Sequence, residues 1–171
     1  MKRNLMVALA ALAVIAGVGW YFFRDPGRKE ALHSRETATR VLAEYVSAKF
    51  PGRRVLVASN PFTQSGAPSE IVNTEKAGIA GLREGFGKKN TMTVAFPELK
   101  PGVRSNPRSV FIDAQTTTPL SFLVAENAFD NLAREHPGND LIVSLIGLPA
   151  ALDKVQCWRN PGPPQFALLL P

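Results

Sequence analysis

The chain has 171 residues, 45% of them hydrophobic, with a formal charge of +6. That length allows one membrane segment and a single domain of about 145 residues, and that composition excludes a disordered or wholly membrane-embedded chain. Half of the positive excess belongs to Lys2, Arg3 and Arg24, which flank the N-terminal apolar run. The remainder lacks the concentrated basic face of a nucleic-acid binder. A single cysteine, Cys157, excludes an intrachain disulfide framework and a multi-cysteine metal site.

Leu5 to Phe23 carries no charged side chain and ends in Trp20-Tyr21-Phe22-Phe23-Arg24. About 20 apolar residues cross a bilayer as a helix, and interfacial aromatics followed by a base suit its edge. Residues 1–24 are therefore expected to form a transmembrane or signal-anchor helix, with residues 5–23 in the membrane. The domain is then expected outside the cytoplasm, in the periplasm. Secretion after cleavage of a signal peptide is the alternative. Its apolar region is usually shorter, and only Gly17-Val18-Gly19 offers a weak small-x-small site.

Residues 25–33, with Pro26-Gly27, read as a polar linker, and residues 34–171 as the α/β domain. From Ser34 to Phe50 the apolar residues Ala38, Val41, Leu42, Tyr45 and Val46 have the i, i+3, i+4 spacing of a half-buried helix. Pro51-Gly52 stops it. Arg54 to Ser59 is an apolar run closed by Asn60-Pro61, as expected of a strand buried on both faces in a parallel sheet.

A second helix spans Glu70 to Gly87, with Ile71, Val72, Ile79, Leu82 and Phe86 as its buried face. Gly78, Gly81 and Gly85 lie inside it and predict close packing on the sheet. Thr91 to Phe96 is the second strand. Glu98 to Thr118 has two prolines and no strong periodicity beyond a short strand at Ser109–Ile112, so it reads as a long functional loop. Thr118-Pro119 starts a helix to Glu135, with Phe122, Ala125, Phe129, Leu132 and Ala133 inward. His136-Pro137-Gly138 ends it. Leu141 to Gly147 and Gln165 to Leu170 are the third and fourth strands. The end of the chain directly after a core strand suggests a fragment, or a partner element in another chain.

The expected fold is a three-layer α/β/α sandwich around a mostly parallel sheet of about four strands, in the order 2-1-3-4 with right-handed crossovers. No phosphate loop, dinucleotide fingerprint, nucleophile elbow or His-Glu-x-x-His motif is present. No cofactor and no metal are expected. His136 reads as a helix-ending residue, Cys157 as a packing thiol with a reactive thiol as the alternative, and Glu98 and Asp113 as solvated loop charges. Ligands of open parallel sheets bind beyond the strand carboxyl ends, where strand order reverses. That places the candidate ligand-binding residues at Ser59, Asn60, Phe62, Thr63, Gln64 and Gly147. The alternative is that Ser-Asn-Pro only turns the chain, since both side chains bond their own backbone readily.

A membrane leader, then a helix, then Val55-Leu56-Val57-Ala58-Ser59-Asn60-Pro61 in a β-α-β-α-β-β progression resembles one lobe of the type I periplasmic-binding-protein fold, over about residues 37–170. The resemblance implies binding of a small solute at strand C-terminal ends, although the family closes two such lobes on its ligand and this chain supplies one. The expected function is non-enzymatic: an anchored extracytoplasmic domain binding a small polar ligand or a protein partner, without nucleic acid. The alternatives are a hydrolase or transferase with Glu98–Thr118 as a lid, and a structural protein pairing through its last strand.

Overall fold

The computed structural model describes residues 26–64, 66–110, 119–159, 162 and 164–168. The chain divides into two units, Met1–Ser34 and Arg35–Pro171, and the sheet belongs to the second. The apolar segment 5–23 lies outside the described residues. No helix among those described is long and apolar enough to cross a membrane.

Helix α1 runs Pro26–Lys49, so residues 26–33, expected to be a linker, are helical. Pro26 opens the helix, where a missing N–H costs nothing. Strand β1 (Arg54–Ala58) leads into a single 3-10 turn, Pro61–Gln64, and helix α2 (Ser69–Phe86). Strand β2 (Thr91–Ala95) follows. The helix expected from 119 to 135 is split into α3 (Leu120–Leu123) and α4 (Ala128–Glu135). A tertiary contact breaks it. Val124 forms an antiparallel bridge with Leu99, Lys100 N–H donates to the Leu123 carbonyl, and Ala125 N–H donates to the Glu98 carbonyl, both at 2.9 Å. Extended pairing and helical hydrogen bonding compete for the same backbone groups, and here pairing wins. Strand β3 (Leu141–Ser144), a 3-10 turn, the short helix α5 (Gln156–Arg159) and strand β4 (Gln165–Leu168) are the last elements among the described residues.

The four strands form one all-parallel sheet in the order β2-β1-β3-β4. In β1, Val55 and Val57 face one side and Leu56 and Ala58 the other, and β3 repeats the alternation with Leu141 and Val143 against Ile142. All seven are buried, as expected where helices cover both faces of a parallel sheet. Ala43 and Val46 of α1 with Leu82 and Phe86 of α2 pack on the first face. Phe129 and Leu132 of α4 with Val155 pack on the second. Each fully buried Val, Leu or Phe side chain contributes about 1.5–3 kcal/mol of transfer free energy.

Two expectations about α1 and α2 change. The buried side of α1 is Thr39, Ala43, Val46 and Ser47, while Ala38, Val41 and Tyr45 are exposed. The α2 glycines approach α1 rather than the sheet. A Cβ added to Gly81 would overlap the Glu36 carbonyl and Thr39 Oγ1, and one added to Gly85 would overlap the Arg40 carbonyl and lie 2.7 Å from Ala43 Cβ. The two backbones touch, so only small or short polar residues fit between them, and the larger apolar residues of α1 are turned outward.

Candidate functional site

The loop after β1 is closed by its own hydrogen bonds. Ser59 is fully buried, and its hydroxyl donates to Glu75 Oε1 of α2 at 2.5 Å. The same Oε1 accepts Asn60 N–H at 2.8 Å. Glu75 is itself only 7% exposed, so two donors satisfy a carboxyl group that is costly to bury without them. Asn60 Oδ1 accepts Phe62 N–H at 3.0 Å, and the Asn60 carbonyl accepts Thr63 Oγ1–H at 2.7 Å and Thr63 N–H at 3.1 Å. This is an Asx turn leading into a 3-10 turn, the local chemistry that Ser, Asn and Thr supply readily. Across the reversal point, Leu145 N–H donates to the Ala58 carbonyl, and Ser144 Oγ–H donates to the Gly147 carbonyl at 2.7 Å. Gly147 adopts φ +85°, a conformation glycine takes without strain. The polar groups expected to meet a ligand there thus meet one another.

A larger opening lies one strand away. A cleft of about 520 Å³ sits at the carboxyl end of β2, between the loop from Phe96 to Arg104 and one side of α4. Ala128 and Leu132, both buried, contribute apolar walls. Around them stand Gln64, Glu98, Lys100, Arg104, Asn131 and Glu135. Of the six residues proposed from the sequence, Gln64 belongs to this cleft.

The loop wall is held in place. Val103 is buried, the Glu98–Lys100 backbone is bonded to Leu123–Ala125, and Arg104 donates to the Pro61 carbonyl at 3.3 Å and to Gln64 Oε1 at 3.4 Å. Ser105 and Ser109 each bond a carbonyl three residues back. The first half of the segment expected to act as a lid is therefore tied down. The expected strand at Ser109–Ile112 begins instead in a 3-10 turn, Pro107–Ser109, and Ile112 and Asp113 lie outside the described residues.

The other candidate groups have structural partners. His136 ends α4, its N–H donating to the Leu132 carbonyl and its carbonyl accepting Asn139 Nδ2–H. Cys157 is half-buried at the start of α5. Its backbone N–H donates to Asp130 Oδ1 at 2.8 Å. Burial first, and the Asp130 carboxyl second, push its thiol up to about 12. A nucleophilic cysteine needs the opposite shift, because the thiolate is the reactive form. Among the described residues no three His, Cys, Asp or Glu side chains gather to hold a metal ion. No protein-family model, curated protein or solved structure matches the chain.

Three participants escaped the sequence reading. Glu75 sits in a helix rich in charged residues, and its contact with Ser59 depends on how α2 crosses the strand end. Asn131 and Glu135 join the cleft because α4 borders the loop that follows β2, although their spacing of four already places them on one helix face.

Proposed function

We propose that this chain is a single-lobe binding module, a three-layer α/β/α domain tethered at a membrane by residues 5–23 and facing the periplasm. It takes a small polar solute in the cleft beside β2. The supporting observation is that cleft: its 520 Å³ falls within the range of small-molecule sites, and it combines apolar walls with a few polar groups. Its lining carries two carboxyl groups, Glu98 and Glu135, two cations, Lys100 and Arg104, and two amides, Gln64 and Asn131. That set fits a ligand bearing both an anionic and a cationic group, as a free amino acid or short peptide does.

The resemblance to a periplasmic-binding-protein lobe agrees with this reading in one respect, a site at strand carboxyl ends. It differs in position, because the reversal point between β1 and β3 is filled by the protein's own bonds. A thermal-shift screen of the full chain against amino acids, short peptides, sugars and polyols tests the proposal. A ligand at about 100 times its Kd stabilises by about 2.7 kcal/mol, which for this domain raises Tm by about 9 °C. Such a shift with a zwitterion, lost in Asn131→Leu, supports the reading. Shifts with none of the four classes oppose it.

A further inference from the structure

Helix α1 presents a second face that the domain leaves uncovered. Thr39, Ala43, Val46 and Ser47 hold it against α2 and the sheet, and the opposite side carries Ala38, Val41, Tyr45 and Ala48, all exposed. Val41 is 54% exposed and Tyr45 60%, and these two are the most exposed large apolar side chains among the described residues. The spacing along this face is 3, 4, 3, the alternation of a coiled-coil seam rather than a random scatter. In the sequence alone it runs on upstream through Ser34 and Ala31.

The charges beside the seam decide what covers it. With Ala38 and Tyr45 at a positions and Val41 and Ala48 at d positions, Glu44 falls at g and Lys49 at the following e. In a parallel pair, g of one helix faces the next e of the other, so Glu44 meets Lys49 of a second copy, twice by symmetry. An antiparallel pair brings g against g and e against e, acid to acid and base to base. Both side chains are at the surface, Glu44 within 4.0 Å of Arg40 and Lys49 Nζ 6.0 Å from the Tyr45 ring. A parallel pair also leaves both N-terminal apolar segments at the same end, as the proposed anchor requires. We propose that the occupant of this face is a second copy of the chain, docked in parallel through Ala38, Val41, Tyr45 and Ala48.

The test is cysteine cross-linking of the full chain in membranes, on a Cys157→Ser background. Val41→Cys and Ala48→Cys should each give disulfide dimers about tenfold more readily than Thr74→Cys, an exposed control on α2. Adding Glu44→Lys to Val41→Cys should reduce the dimer, and Lys49→Glu in the same chain should restore it. These positions are at the surface, so loss of folding does not confound the outcome. Three results would overturn the proposal: Val41→Cys linking no better than Thr74→Cys, a failure of Lys49→Glu to restore the yield, or preferential linkage between Ala38→Cys and Ala48→Cys chains, the antiparallel signature.

Discussion

Replacing Glu75 by alanine removes the acceptor of two donors, the buried Ser59 hydroxyl and the part-buried Asn60 N–H. Both bonds end on the same atom, Oε1, at 2.5 and 2.8 Å. Ser59 is 0% exposed, so water does not take over the lost bond without opening the loop. A buried donor left unpaired costs about 1–3 kcal/mol, and the part-buried Asn60 N–H adds less, which gives about 2–4 kcal/mol for the pair. An unfolding entropy of about 2.1 cal/mol/K per residue turns a 3 kcal/mol loss into a fall in Tm of about 10 °C for a domain of this size. Glu75→Gln keeps Oε1 and should cost about 1 kcal/mol, the difference between a charged and a neutral acceptor. Urea denaturation of the two variants beside Glu70→Ala, an exposed control, checks the reasoning. Equal losses for Gln and Ala would show that the Oε1 bonds are not what matters. A loss for Glu75→Ala no greater than that of the control would show that the loop is not held from α2.

Three further outcomes follow from the same contacts. Gly81→Ala places a methyl group against the α1 backbone and should destabilise by about 2 kcal/mol, overpacking outweighing the gain in helix propensity. Gly78→Ala, whose Cβ would come no nearer than 3.3 Å to any neighbour, the Arg35 Nε, should cost far less, and denaturant midpoints separate the two. Asn60→Ala removes the acceptor for Phe62 N–H and should cost about 1 kcal/mol while leaving ligand binding intact, measured by calorimetry. Cys157 holds its proton in the folded state up to about 12 against an ordinary 9.0. Its alkylation at pH 8 should therefore be about 1,000-fold slower in the native protein than in denaturant, and equal rates would refute the burial argument. Because the folded state binds that proton more tightly, this group leaves stability unchanged below pH 9 and lowers it as pH rises from 9 toward 12.

The strands were legible because each is a short apolar run closed by Pro, Gly or Asn, and their order followed from the rules for parallel crossovers. The inward side of α1 was not. Periodicity selects the largest apolar residues, whereas the contact with the α2 glycines selects the smallest, so Thr39, Ala43 and Ser47 went inside and Val41 and Tyr45 outside. The break at Val124 was equally hidden, since its cause is a bridge to Leu99, 25 positions back in the chain. For the site, the rule that ligands meet strand carboxyl ends led to the end of the sheet at which the cleft beside β2 opens. It did not reveal that Ser59 and Asn60 would be consumed by Glu75 and by their own turn, nor that Glu98–Arg104 would fold into a wall. That segment has no period for a pattern to detect.

Native mass spectrometry of the full chain, released from detergent, tests the binding account most directly. The account predicts a fraction of molecules carrying the mass of a small zwitterionic solute, absent when Asn131 is replaced by leucine. A bare chain in both proteins after exposure to amino acids and short peptides, or an adduct that Asn131→Leu retains in full, would contradict it.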